Sequence, residues 1–109
     1  MYISVTGLKP KGLIGWIRFW TLTIPASKDA QKAEGILHCV FSSRNGFQHT
    51  LTVWRSKKHM LGYLTSPAHL KAMKKISKIG VGKVCGYEAD AIPSWEDALT
   101  EWDKNGRMH

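Results

Sequence analysis

Imidazole titrates near neutral pH, so the histidines are the side chains of this sequence best suited to moving protons or binding iron. There are five: His38, His49, His59, His69 and His109. His69 lies on the apolar stripe of a predicted helix and is a candidate ligand or acid–base group. The plainer reading of His69 is a hydrogen-bonded core residue. His38 and His49 share one face of a predicted hairpin. At ~3.3 Å per strand residue they stand about 13 Å apart and cannot hold one ion. The chain has no HExxH and no CxxC, so no metal site is expected. Cys39 and Cys85 fall in strands expected on opposite edges of a sheet, roughly 14 Å apart, and read as free thiols.

Other chemistry finds little support. There is no GxSxG and no P-loop, and Gly80, Gly82 and Gly86 read as turn and packing glycines. The net charge is +8. Between Gly35 and Tyr87 there is no acid but nine Lys and Arg residues, while six of the eight acids fall between Glu88 and Asp103. A basic body and an acidic C-terminal helix can pair within the chain or across a dimer. A lysine stripe, Lys71, Lys74, Lys75 and Lys78, is the face an RNA or an anionic membrane would meet. Its plainer reading is a solvated helix face. The strand Phe47 to Trp54 (FQHTLTVW) lacks the aromatic pattern by which a fold of similar topology reads RNA, so nucleic acid is not the expected partner.

The elements that position these residues follow from pattern. With 109 residues the chain has room for one domain, residues 1–109, around one core. Tyr2 to Thr6 is strand-like, and Gly7 to Gly12 reads as a loop. Leu13 to Leu22 reads as a helix whose Leu13, Trp16, Ile17, Trp20 and Ile24 fall on one face. Pro25 should end or kink it, with Ser27 capping a short piece over Lys28 to Glu34. Gly35 to Ser43 and Phe47 to Trp54 form a hairpin about Asn45-Gly46, whose type I′ turn sets Val40 opposite Leu51 and His38 opposite Val53. One sheet face then carries Ile36, His38, Val40, Ser42, Phe47, His49, Leu51 and Val53. The other carries Leu37, Cys39, Phe41, Thr50, Thr52 and Trp54. Both are apolar, so each needs a cover: helices on one side and a second subunit's sheet on the other.

Ser56 caps a helix to Leu64, and Ser66-Pro67 opens another. The second carries His69, Ala72, Met73, Ile76 and Ile79 on one stripe, and Gly80 stops it. Val81 to Glu88 is the last strand. Ser94 caps a final helix with Trp95, Ala98, Leu99 and Trp102 on its apolar side. The order β-α-β-β-α-β-α is that of a ferredoxin-like α+β sandwich. The longest apolar run, Leu13 to Ile24, is 12 residues long and includes Arg18. A membrane span needs roughly 20 residues. With no leader before the first strand, the expected location is the cytoplasm.

The stretch TLTVWRSKKHMLGYLTSPAHLKAM, Thr50 to Met73, resembles the centre of the antibiotic-biosynthesis and heme-degrading monooxygenases of the dimeric α/β-barrel superfamily. A strand ending in VW leads there into an SK-like helix start and then S-P-x-H. With the PSWEDAL segment and the terminal GRxH, the chain is most similar to uncharacterised bacterial proteins related to spheroidene monooxygenase. The resemblance implies a homodimer with two sheets face to face and a pocket in each subunit between sheet and helices. Cofactor-free members oxidise polycyclic aromatic compounds there with O₂, and others bind heme. The heme-degrading site uses an Asn on the first strand, a Trp on the second helix and a His ten residues later. The matching positions here are Tyr63 for the Trp and Met73 for the His, and Tyr2 to Thr6 holds no Asn. All three depart, which argues against heme degradation by that route, although His69 lies one turn before Met73 on the same helix face, and the resemblance thereby makes His69 and Tyr63 the candidate catalytic pair.

These readings converge on a monooxygenase-like protein with an apolar pocket for a hydrophobic or aromatic molecule or for heme. Trp16, Trp20, Trp54, Tyr63 and Met73 would wall it, and His69, with His38 or His49, would supply polar contacts. One alternative is a non-catalytic module that holds a hydrophobic small molecule. The other is a basic protein that binds RNA or a membrane surface.

Overall fold

A computed structural model describes residues 1–76, 78 and 80–108, and the side chains of all of these except residues 26, 27, 68, 76, 81 and 108. The elements run β1 (Tyr2–Pro10), α1 (Gly12–Gln31), β2 (Ile36–Arg44), β3 (Phe47–Trp54), α2 (Lys57–Leu64), α3 (Pro67–Ile76), β4 (Gly80–Glu88), α4 (Trp95–Asn105) and β5 (Arg107–Met108). The antiparallel sheet has the order β2-β3-β1-β4-β5. Four strands give the expected ferredoxin-like α+β arrangement. The two-residue β5, paired to Lys83 and Val84 at the β4 edge, is an addition to it.

Local signals in the sequence place the boundaries. Asn45 and Gly46 both adopt positive φ, 53° and 82°, as a type I′ turn requires. The hairpin register follows, with Val40 opposite Leu51, Ser42 opposite His49 and His38 opposite Val53. A register shift between Ile36 and His38 sets Ile36 opposite Trp54, so Ile36 leaves the face assigned to it by alternation. Ser56 Oγ accepts from His59 N, Ser66 Oγ from His69 N and Ser94 Oγ from Asp97 N, at 3.3, 3.4 and 3.1 Å. Each hydroxyl satisfies a backbone donor that the first helical turn leaves open.

Two expectations fail at β1 and α1. The segment after Thr6 is strand, not loop: β1 is central and pairs with β3 as far as Leu8 and with β4 as far as Pro10. Gly7 serves packing here. A Cβ on it would lie 2.5 Å from the Trp102 ring and 2.8 Å from His49 Nδ1. Pro25 does not end α1, which runs unbroken for 20 residues, so no separate piece begins at Lys28. Pro25 and Thr21 are both exposed, and water can satisfy the carbonyl that loses its donor on that side. The capping role given to Ser27, Ile79 of the apolar stripe and His109 lie outside the described residues.

The helix-one stripe also faces the other way. Gly15, Phe19, Thr23 and Ala30 are buried, whereas Leu13, Ile14, Trp16, Ile17 and Ile24 are 48–74% exposed. The helix is apolar on both sides, and the small and aromatic residues are the ones that meet the sheet.

The sheet is covered on both faces. Ile3, Val5, Leu51, Val53 and Cys85 pack under Ala98, Leu99 and Trp102 of α4. Trp102 Nε1 donates to the Lys83 carbonyl at 2.8 Å, so its burial leaves no orphan donor. Among the described residues the basic body meets the acidic helix in the ion pair of Arg44 with Asp103 at 2.8 Å. Both side chains are partly exposed, so the pair contributes at most about 1 kcal/mol. Helices α1, α2 and α3 cover the opposite face and leave a cavity against it. Among the described residues no helix is long and apolar enough to cross a membrane.

Candidate functional site

The cavity holds about 160 Å³. An apolar protein cavity of about 150 Å³ stays dry and takes up benzene, so this one has room for a single small ring. Its floor is the Ser4, Thr6, Cys39, Phe41, Thr50, Thr52 face of the sheet. Its roof is Phe19 and Thr23 of α1, Met60 and Tyr63 of α2, and His69 and Met73 of α3. One of the floor hydroxyls is engaged within the sheet. Thr52 Oγ1 donates to the Ser4 carbonyl at 3.4 Å and accepts from Trp54 Nε1 at 3.0 Å.

Three rings form a ladder along one wall. Trp54 and Tyr63 have centroids 5.4 Å apart at 31°, and Tyr63 and His69 stand 4.9 Å apart at 63°. Sequence and caps fix this arrangement. Trp54 ends β3, Ser56 starts α2 two residues later, and Ser66 starts α3 so that His69 falls in its first turn.

His69 Nδ1 is buried and has no hydrogen-bond partner. A buried polar atom left unpaired costs free energy and marks a place where a ligand or water can bind. Burial holds the imidazole below its ordinary pKa, while the Leu64 carbonyl near the ring pulls the other way. His69 is therefore neutral at pH 7. If Nδ1 carries the lone pair it can take a proton, and if it carries the hydrogen it can give one. Burial pushes the Tyr63 hydroxyl up to about 12, with Asp29 and Cys39 adding to the shift. Tyr63 is thus no base at neutral pH.

Of the residues proposed from sequence, the structure brings Trp54, Tyr63, His69 and Met73 together in this cavity. It separates the other four. Trp16 is 48% exposed on the outer side of α1. Trp20 packs behind Phe19 and Leu8. His38 and His49 point to the α4 side of the sheet, because alternation sends them opposite to Cys39 and Thr50. His49 is 1% exposed, meets the Trp102 ring edge to face at 4.6 Å and donates Nδ1–H to the Thr6 carbonyl at 3.2 Å. It is a core residue. Thr6, Thr52, Met60 and Phe19 were not foreseen as lining. Their facing follows only once it is known which sheet face the helices cover. Among the described residues no three His, Cys, Asp or Glu side chains gather closely enough to hold a metal ion.

No family model matches the sequence, and no curated protein is significantly similar to it. Solved structures do match. A candidate antibiotic biosynthesis monooxygenase from Deinococcus radiodurans superposes with TM-score 0.76 at 18% identity, over 86% of this chain and 97% of that one. SnoaB, a cofactor-independent oxygenase from Streptomyces nogalater, gives 0.71 at 11% identity over 85% and 97%. A candidate antibiotic biosynthesis monooxygenase from Nitrosomonas europaea gives 0.75 at 10% identity over 84% and 100%. The chain thus has the antibiotic-biosynthesis-monooxygenase fold over most of its length. The finer likeness to spheroidene monooxygenase rests on sequence motifs alone.

Proposed function

We propose that this protein is a small-molecule oxygenase that needs no cofactor and acts on an electron-rich aromatic compound, with His69 as general base. The observation that carries this reading is the unpartnered His69 Nδ1 in the wall of an apolar cavity the size of one ring. The fold shared with SnoaB supports it. Heme, the other group the resemblance implies, does not fit. A porphyrin far exceeds a single ring's volume, and α1 and α3 would have to part from the sheet to admit it.

An oxygenase without a cofactor must take its electrons from the substrate. A methylene activated by a hydroxylated ring can supply them. His69 removes a proton, and the resulting carbanion reduces O₂. As the methylene becomes a carbonyl it gives up four electrons, which balance one O₂ becoming the carbonyl oxygen and one water. A ring seated in the apolar cavity would displace water from it, which favours such a step by shielding the anion from reprotonation. Oxygen uptake with hydroxylated aromatic compounds tests the reading. Uptake that His69→Ala abolishes supports it, and uptake unchanged in that variant removes His69 as the base. A ring that binds saturably with no oxygen uptake across the panel favours the non-catalytic binding module.

The protein is further proposed to be a homodimer. Helix α4 covers β1 and β4, but His38, Val40 and Ser42 on β2 remain half-buried on that face. A second sheet would complete the cover. Sedimentation equilibrium should then find dimers that Val40→Glu dissociates and Ile17→Glu leaves intact. The reverse pattern would place the interface on the outer stripe of α1.

A further inference from the structure

A second cavity of about 250 Å³ lies between α1 and α3, and its walls include Tyr63, His69 and Ala72, which also line the first. These residues are the seam between an inner apolar chamber and an outer polar one. The outer chamber is lined from α3 by Ser66, Lys71 and Lys75, and from α1 by Thr21 and Asp29. Lys71 and Lys75 stand one helical turn apart and so present both ammonium groups on the same side of α3. One carboxylate against two ammonium groups leaves this chamber positive.

Resting on the reading above, we propose that the ligand is an aromatic acid. Its ring occupies the inner chamber and a single anionic group reaches across the seam to Lys71 and Lys75. The inner chamber is mostly apolar: among the described residues no side-chain cation of its own helices faces it, the Thr52 hydroxyl is engaged within the sheet, and the buried Nδ1 belongs to a neutral imidazole. The outer chamber, which has His69 in its own wall, offers two cations. A ligand of this shape fills both spaces and keeps its charge where water and lysine can solvate it. Asp29 would disfavour a second acidic group and would weaken, without cancelling, the attraction for the first.

Phenylpropanoate, phenylpropanol and phenylpropylamine share one ring and tether and differ in terminal charge. Their dissociation constants can be read from the methyl signal of Met73. The acid should bind about fivefold tighter than the alcohol, in line with two partly exposed charge contacts, and the amine weakest. The advantage should shrink with added salt. Lys71→Gln with Lys75→Gln should remove the acid's advantage and leave the alcohol unchanged, whereas Lys104→Gln on α4 should change neither. Asp29→Asn should tighten the acid further. Equal binding of acid and alcohol, insensitive to the lysines, would overturn this inference and leave the pocket intact. Failure of all three compounds to bind would overturn the pocket reading itself.

Discussion

The rings of Tyr63 and His69 meet edge to face, 4.9 Å apart at 63°, and both line the inner and the outer cavity. Their roles are separated by protonation. Burial favours the neutral form of each, which leaves an imidazole able to accept a proton beside a phenol unable to lose one.

The pH profile of turnover should reflect that pair. His69 has its folded pKa depressed below 6.5, so the free base is present at pH 7 and is lost only as the pH falls through that lower value. The rate should be flat from pH 7 upward and decline on the acid side with a midpoint below 6.5. His69→Gln should lower the rate about 100-fold or more, the usual share of a positioned base, and abolish the acid limb. A limb that survives in His69→Gln would assign the titration to another group. Since the Tyr63 hydroxyl stays protonated to about 12, Tyr63→Phe should add or remove no limb between pH 7 and about pH 9.

Stability should fall in the same pH range. His49 and His69 both have pKa values lowered chiefly by burial. Facing His49, Arg44 lowers the value further, while the Thr6 carbonyl and Asp103 oppose. For a depressed histidine the unfolded chain binds the proton first as pH falls. The contribution is therefore complete above about 6.5 and is lost as pH drops from there toward the folded pKa. Thermal melts at pH 7.5 and 5.5 should show a lower midpoint at 5.5, and His49→Phe should narrow that gap. An unchanged gap in both His49→Phe and His69→Gln would mean that neither ring is desolvated as described.

Gly7→Ala should destabilise the protein by about 1–3 kcal/mol, the range for overpacking a filled core. The added methyl would meet the Trp102 ring at 2.5 Å and the His49 ring at 2.8 Å, and both rings are buried. Chemical denaturation measures the change. A neutral result would show that Trp102 and α4 can shift away from the sheet.

Much of this architecture could be read in the sequence where the cause is local. Asn45-Gly46 fixes its hairpin because the turn needs two positive φ angles, and Ser56, Ser66 and Ser94 mark helix starts because each hydroxyl accepts from a nearby backbone donor. Helical spacing puts His69 and Met73 on one stripe, whereas Tyr63, on the preceding helix, joins them only through the resemblance. Facing was less legible. Trp16 and Trp20 were assigned to a pocket because α1 is apolar on two sides, and periodicity does not say which side meets the sheet. His38 and His49 were correctly placed on one sheet face, but that face carries α4 and not the cavity. The turn-like Gly7 concealed a strand whose glycine makes room for Trp102, a residue far away in the chain.

The account rests on the inner cavity accepting one aromatic ring. The most direct measurement is a toluene titration of the isotope-labelled protein, followed through its methyl signals. Saturable shifts, one toluene per chain, should appear at Met60, Met73 and Thr52 and be absent from Leu13 and Ile17 on the outer side of α1. Unsaturable shifts, or shifts centred on α1's exposed stripe, would contradict the cavity as the binding site.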